Sequence, residues 1–297
     1  MKKKILAIGL LIILIILIVI GNINRRTIKK ENEDYKILTS FYPIYIMTLN
    51  ITNGAKNVQV SNMAEKFTGC IHDYTLTTQD LKKFEECDLF IQNGADLENF
   101  SPKIVTSYPN VQIVSSADGI SDFIEDEDGE SNSHIWLSIE NYISEVNQIS
   151  TELAKVNTTN SAIYVENARN YIEKLNKLRE LFNSLELNGK KAICLNESLE
   201  YLLKENSIDE TLIETDHEQA SISAEKIKEI IEKMKEEDIK IIFIDKDDDT
   251  KTADMLANET GAKIYVLNSG MNGTSNLNSY IDVMKENYNT LKLITEE

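Results

Sequence analysis

The sequence predicts an α/β protein with two lobes, each built on a parallel sheet flanked by helices. Short β-branched runs alternate with amphipathic stretches from Tyr35 onward, as in YKILTS, then FYPIYIMTLNITNG, then NVQVSN. The same alternation returns after Lys190, in KKAICLNE, AEKIKEIIEKMKEE, IKIIFIDKD and AKIYVLNS. Such alternation is typical of βα units, whose strands pair in parallel. At roughly 100–200 residues per domain, the 297 residues suffice for two lobes.

Residues 1–30 form a segment of their own. Residues 5–21 are 17 consecutive apolar residues preceded by three lysines, a pattern typical of a signal peptide or a short membrane-spanning helix. The run is longer than the roughly 7–15 apolar residues of a signal core, and the small-residue pair of a cleavage site is poorly formed. We therefore favour an uncleaved anchor. Either interpretation places the rest of the chain outside the cytoplasm, at the cell surface or secreted.

The middle of the chain predicts two helices and no strand. From about Ser138 to Glu186 the pattern is helical, with a break at 157–160, where residues that cap helices cluster. The second helix, about residues 160–186, is predicted to be roughly 40 Å long at 1.5 Å per residue, and no Gly/Ser-rich linker softens it. The predicted body therefore consists of a lobe at 36–157, a linking helix at 158–188 and a lobe at 189–297.

Charge and motifs exclude several functions. The net charge of −18 argues against a nucleic-acid partner, because phosphate neutralisation needs clustered Lys and Arg. Three cysteines far apart give no disulfide framework and no paired zinc motif. The nucleophile elbow, the P-loop, the G-x-G-x-x-G turn and H-E-x-x-H are all missing, so we expect no enzymatic activity. The acidic stretch 122–134 is either a solvated loop or a weak cation-collecting lid.

Two of the three histidines lie where α/β proteins bind ligands. His72 and His134 each come just before a predicted helix, on loops at the mouths of βα units. A single histidine in such a position is usually structural. Two imidazoles brought together from separate loops, however, need only one or two oxygens to complete a site for Zn²⁺ or a related ion. The pair therefore favours a metal site.

Four blocks of the sequence extend this interpretation. They are SFYPIYIMTLNI at 40–51, HDYTLTTQDLKKFEECDLFIQNGADLENF at 72–100, HIWLSIENYISEVNQISTELAKV at 134–156 and SYIDVMKENYNTL at 279–291. In this order and spacing they resemble the zinc/manganese-specific solute-binding proteins of bacterial ABC transporters. The block at His72 is similar to the family's P-H-D-Y-E-P-x-P-x-D element and the block at His134 to its D-P-H-I-W-L-x-P element. The resemblance implies two α/β lobes joined by one long rigid helix, with the metal held between them.

The resemblance also implies a set of ligands. His72 and His134 match the first two ligand positions of the family. The third position, a His or Glu at the end of the first strand of the second lobe, falls on Asn196 with Glu197 beside it. The fourth, an Asp before S-Y-x-x-M, falls on Asn278. An amide oxygen is a poor Zn²⁺ ligand, so we expect weakened transition-metal affinity unless Glu197 takes the third position.

Other side chains are candidates for the same site. Cys70, two residues before His72, is either a thiolate ligand or a small buried hydrophobe. His217 is interpreted as a surface residue, and Cys87 and Cys194 as core residues. Asp245 and Asp247 to Asp249 are either a cluster that caps a helix and forms a turn, or carboxylates that approach the space between the lobes.

The resemblance predicts the function. We expect a monomeric extracytoplasmic receptor that captures Zn²⁺ or Mn²⁺ as its transported ligand and delivers it to an ABC permease in the membrane. The alternative is a diverged member that lacks tight transition-metal binding and acts as a surface adhesion or accessory protein.

Overall fold

The computed structural model of the protein describes residues 34–65, 67, 69, 71–125, 129–213 and 222–296. The predicted N-terminal membrane segment, Cys70 and His217 lie outside these residues. Among the described residues, no helix combines the length and the apolar character that crossing a bilayer would require.

The first lobe is built on a four-stranded parallel sheet. Its strands and helices are β1 (Tyr35–Thr39), α1 (Tyr42–Thr52), β2 (Val58–Asn62), α2 (Thr78–Glu86), β3 (Leu89–Gln92), α3 (Ser101–Ser107) and β4 (Gln112–Ser115). The strand order is β2-β1-β3-β4. Side chains alternate between faces, so Ile37 and Ile91 enter one core while Leu38 and Phe90 enter another. Burial on both faces explains why these strands are continuous apolar runs.

Two helices follow the first sheet, as predicted. They are α4 (Ile139–Val156) and α5 (Ser161–Phe182), separated by a 3₁₀ turn at Thr158–Asn160. Helix α5 ends at Phe182, about one turn before the predicted end at Glu186. After Phe182 the chain turns so that Leu187 packs into the core, which a continued helix would not allow. At 22 residues, α5 is about 33 Å long.

The second lobe repeats the topology of the first. Its elements are β5 (Lys191–Cys194), α6 (Glu200–Glu205), β6 (Asp209–Leu212), α7 (Ala224–Glu236), β7 (Ile241–Asp245), α8 (Lys251–Thr260), β8 (Lys263–Leu267) and α9 (Ser279–Thr295). The strands are parallel in the order β6-β5-β7-β8. Two parallel sheets flanked by helices confirm the predicted α/β class.

Strand β6 is an element that the sequence pattern did not reveal. It reads DETL and, among the described strands, pairs only with β5, at the edge of the sheet. Edge strands are often short and charged, because charged side chains oppose pairing of another chain with the unpaired backbone groups of the edge. It therefore lacks the β-branched run by which the other strands were recognised.

One continuous core joins the two lobes. It includes Ile37 of β1, Leu175 of α5 and Phe243 of β7. Helix α9 returns to the first lobe, where the Tyr280 ring stacks on the Tyr142 ring with centroids 3.5 Å apart. Helix α5 packs on both α1 and α9. The lobes are therefore held together by shared packing as well as by the connecting helices.

Candidate metal centre

His72 is presented by a short turn in the loop between β2 and α2. The 3₁₀ turn Ile71–Asp73 is anchored by the fully buried side chain of Ile71. The Asn99 amide donates to the carbonyl oxygen of His72 at 3.2 Å. A capping box at Thr77 and Asp80 then fixes the start of α2. These contacts hold the His72 backbone at the end of the first sheet that carries the carboxyl ends of its strands.

His134 is set by a buried segment ahead of α4. Its side chain is about 4% exposed. Two residues later, the buried Trp136 ring lies 5.2 Å from the His134 ring, centroid to centroid. The Trp136 indole N–H donates to the carbonyl oxygen of Ser269 at 2.8 Å, and Tyr280 Oη donates to the carbonyl oxygen of Trp136 at 2.9 Å. The second lobe thus helps to position a histidine that belongs to the first.

Glu197 comes from the second lobe. It opens the 3₁₀ turn Glu197–Leu199, which follows β5 and leads into α6. Its carboxylate is one-third exposed, and Oε1 lies 3.8 Å from Nε2 of His134. A carboxylate that follows a parallel strand lies at the sheet edge where α/β proteins bind ligands.

His72, His134 and Glu197 form a cluster with metal-ligand character. One potential ligand atom from each lies within 4.8 Å of the other two, and the two imidazole rings are 5.4 Å apart between centroids. Ligand atoms about 2.0–2.2 Å from an ion in tetrahedral geometry lie about 3.3–3.6 Å from one another. The three ligand atoms would therefore need to approach one another by at most about 1.5 Å to bind one ion. Two nitrogens and one oxygen, with a position left for water, match a common zinc donor set.

Asn196 has other partners in this structure. Its amide nitrogen donates to both carboxylate oxygens of Asp248, at 2.9 and 3.1 Å. Its amide oxygen accepts from the backbone N–H of Ser198 at 3.0 Å and from the Ser198 hydroxyl at 2.6 Å. Asn196 thus caps the turn on which Glu197 lies, and it is Glu197 that meets the histidines.

Asn278 lies at the start of α9 in the second lobe. It is an exposed N-cap residue of α9, and its backbone N–H donates to Oδ1 of Asn276. The polar residue directly after β8 is Asn268, ten residues earlier and buried. It precedes Ser269, whose carbonyl oxygen accepts from Trp136. The second lobe therefore brings both the segment after β8 and Tyr280 of α9 to the residues that follow His134.

The aspartates at the end of β7 and in the turn that follows it form a cluster. Asp245 accepts from the backbone N–H groups of Ser269 and Asp247, at 2.6 and 3.0 Å. Asp248 accepts from the backbone N–H of Asp245, and Asp249 pairs with Lys251. Of the two cysteines in the described residues, Cys194 is buried as predicted, whereas Cys87 is only half-buried at the margin of the first-lobe core, because it lies at the C-cap of α2.

Two buried carboxyl groups lie close to the turns that follow β3 and β4. Burial raises the pKa of Glu98 to about 7 and that of Glu145 to about 8, and the neighbouring Glu98 charge adds to the rise at Glu145. Glu98 accepts from the backbone N–H groups of Asn93 and Gly94, and Ser116 donates to Glu145 at 2.7 Å. These groups brace the turn after β3.

Asn132 contacts the site, although none of the sequence motifs indicates it. Its amide oxygen accepts from the backbone N–H of His134 at 2.9 Å and lies 2.9 Å from Nδ1 of the same residue. An Asn that accepts from the backbone two residues on is an Asx turn, for which the Asn-x-His spacing was the available signal.

Comparisons with known proteins identify the family of the chain. The family model described as "Zinc-uptake complex component A periplasmic" (ZnuA) matches residues 37–293. The chain is 27% identical to the high-affinity zinc uptake system protein ZnuA of Bacillus subtilis (strain 168), over 88% of each chain. It is 25% identical to the manganese ABC transporter substrate-binding lipoprotein PsaA of Streptococcus pneumoniae serotype 4, over 73% of this chain and 75% of that one.

Solved structures show the same fold. The SBP FpvC of Pseudomonas aeruginosa in complex with Mn²⁺ matches with a TM-score of 0.78 at 24% identity, over 89% of this chain and 99% of that one. Zn(II)-bound AdcA of Streptococcus pneumoniae matches with a TM-score of 0.75 at 24% identity, over 89% of this chain and 58% of that one. Since the family model spans most of the sequence, the chain belongs to the ZnuA family of periplasmic zinc-uptake complex components.

Proposed function

We propose that this protein is the extracytoplasmic solute-binding component of a metal ABC transporter, which captures Zn²⁺ or Mn²⁺ between its lobes. The observation that carries the proposal is the meeting of His72 and His134 from one lobe with Glu197 from the other, with ligand atoms within 4.8 Å. Relatives named for zinc uptake and for manganese ABC transport support it. An ion bound by both lobes would favour a closed form that a permease can recognise.

The donor set favours Zn²⁺ over Mn²⁺. A fixed site of nitrogen and oxygen ligands binds Zn²⁺ more tightly than Mn²⁺, and Mn²⁺ is better served by carboxylates than by imidazoles. This site has two imidazoles and one carboxylate among the described His, Cys, Asp and Glu residues. Zn²⁺ should therefore be the tighter ligand, and Glu197 would restore the charge that Asn196 does not supply.

The proposal includes a location. The 17 apolar residues at 5–21 would hold the protein at the outer face of the membrane as an uncleaved anchor, or be removed on secretion. A monomer tethered in this way would remain close to its permease. Residues 158–188 would act as the stiff link between the two lobes.

Thermal unfolding of the full-length protein in mild detergent tests the proposal. After chelation, added Zn²⁺ should raise the melting temperature by many degrees and Mn²⁺ by less. A ligand at a thousand times its Kd stabilises the folded state by about 4 kcal/mol. The double variant His72→Ala/His134→Ala should lose the shift, while Glu259→Gln, an exposed carboxylate on α8, should keep it. Absence of a shift with either ion in the unaltered protein would contradict the proposal and favour the accessory-protein alternative.

A further inference from the structure

The side chain of Asn132 contacts both lobes beside the proposed site. On the first-lobe side, its amide oxygen accepts from the His134 backbone N–H and lies 2.9 Å from Nδ1 of that residue. On the second-lobe side, its amide nitrogen donates to the carbonyl oxygen of Glu197 at 2.9 Å and to Oε2 of Glu200 at 2.7 Å. Both N–H groups and the oxygen of the amide are therefore engaged.

These contacts fix which way the amide points. The Glu197 carbonyl can only accept a hydrogen bond, and the His134 backbone N–H can only donate one. The amide nitrogen must therefore face Glu197 and the amide oxygen must face His134. No flipped amide satisfies both lobes.

The orientation of the amide in turn fixes the proton on the imidazole. Because Asn132 Oδ1 is an acceptor, Nδ1 of His134 must carry the hydrogen. In the neutral ring, Nε2 then holds the lone pair. Nε2 is also the nitrogen that lies 3.8 Å from Oε1 of Glu197, in the ligand cluster.

We propose that Asn132 is a positioning residue for metal capture: it selects the His134 tautomer whose Nε2 can bind the ion and links that ring to the turn bearing Glu197. This proposal rests on the proposed function. A neutral imidazole without such a partner populates both tautomers, and one of them has a hydrogen where the ion must bind. Partners of this kind typically contribute 10–100-fold to metal affinity.

The backbone around Asn132 is held by groups other than its own side chain. Tyr201 Oη donates to the carbonyl oxygen of Asn132 at 2.8 Å, and Ile124 N–H donates to Tyr201 Oη at 3.0 Å. The Asn93 amide donates to the carbonyl oxygen of Ser133 at 3.1 Å. Substitution of the side chain should therefore leave the loop in place.

Two variants separate the two roles of Asn132. In Asn132→Ala the acceptor for Nδ1–H and the donor to Glu197 are both lost. In Asn132→Asp a carboxylate still accepts from Nδ1–H, but it cannot donate to Glu197 or Glu200. Asn167→Ala is the matched control, since the Asn167 amide also donates to two carbonyl oxygens, those of Ile51 and Asn53, remote from the cleft.

The experiment measures the tautomer and the affinity of the full-length protein in mild detergent. Long-range ¹H–¹⁵N spectra of the metal-free protein should show His134 protonated at Nδ1 in the unaltered protein and in Asn132→Asp, and a tautomer mixture in Asn132→Ala. Competition with a zinc chelator should give a Kd at least about tenfold weaker for Asn132→Ala, a smaller loss for Asn132→Asp, and no change for Asn167→Ala.

Each failure has a distinct signature. A hydrogen on Nε2 of His134 in the metal-free, unaltered protein overturns the inference, as does unchanged Zn²⁺ affinity in Asn132→Ala. If the unaltered protein binds no Zn²⁺ yet shows the Nδ1–H tautomer, the proposed function fails while the assignment of the tautomer stands.

Discussion

Neighbouring residues at the end of β5 have different tasks. Asn196 uses its whole amide to cap a turn and to contact Asp248, whereas Glu197 faces His134 across the lobes. The family pattern predicts a ligand near this point of the chain, but a shift of one residue decides whether it is an amide or a carboxylate. Such a shift depends on the exit angle of the strand, which no sequence pattern encodes.

This division gives a paired prediction. Glu197→Gln should weaken Zn²⁺ binding more than about tenfold, because it removes the anionic donor while keeping the shape of the side chain. Asn196→Ala should instead lower the stability of the metal-free protein by about 1 kcal/mol, through loss of the cap.

Chelator competition and urea unfolding of both variants check the pair. Equal Zn²⁺ affinity in Glu197→Gln and the unaltered protein would remove Glu197 from the ligand set. A larger affinity loss in Asn196→Ala than in Glu197→Gln would assign the ligand to Asn196 instead.

At the scale of elements, most strands and helices follow from sequence pattern. The apolar strands and the break before α5 were predictable, since burial on both faces and clustered capping residues leave direct marks in the sequence. Strand β6 and the end of α5 could not be predicted from the sequence pattern. Each depends on a partner distant in sequence: β5 for the strand, and the core around Leu187 for the turn that ends the helix.

The carboxyl groups of the β3 turn and of α4 predict an unusual pH dependence. In the folded protein Glu145 keeps its proton up to about pH 8, whereas in the unfolded chain it releases it near 4.5. The folded state thus binds more protons between these values. The stability that Glu145 contributes to the folded protein is fully present below pH 4.5 and is lost as the pH rises towards 8. Glu98 acts in the same direction, with a pKa of about 7.

Urea unfolding of the metal-free protein at pH 5, 6.5 and 8 measures this effect. At about 1.4 kcal/mol per pKa unit, the loss is on the order of a few kcal/mol. The side chain of residue 145 cannot ionise in Glu145→Gln, so the free energy of unfolding should fall less steeply with pH in this variant. The other titrating groups are the same in both proteins, and their contributions cancel when the two are compared. An equally steep decline in Glu145→Gln would show that Glu145 ionises normally.

At the scale of the whole molecule, the two lobes contact each other directly and are not joined by the linking helix alone. The Tyr42 hydroxyl donates to the carbonyl oxygen of Thr274, and the Asn50 amide donates to that of Leu277. These hydrogen bonds join the first lobe to the segment just before α9, and the shared core adds apolar packing between the lobes. The sequence predicts a stiff linking helix but cannot reveal this return, because the contacts join residues more than 200 positions apart.

We expect the metal-free protein to unfold in one cooperative transition. The largest core contains residues of both sheets, so unfolding of one lobe would expose apolar surface of the other. Calorimetry and far-UV circular dichroism should give one coincident midpoint. Two resolved transitions would show that the lobes fold independently.

The only tryptophan of the chain is Trp136, and it lies beside His134. The protein thus carries an intrinsic optical probe at its candidate metal centre. Binding of the ion should change the fluorescence intensity of Trp136, because the imidazole next to the indole gains a charged partner. Stopped-flow mixing with Zn²⁺ would then time the encounter and the subsequent closure without any label. If the protein binds Zn²⁺ and the fluorescence of Trp136 does not change, the indole does not sense the occupied site.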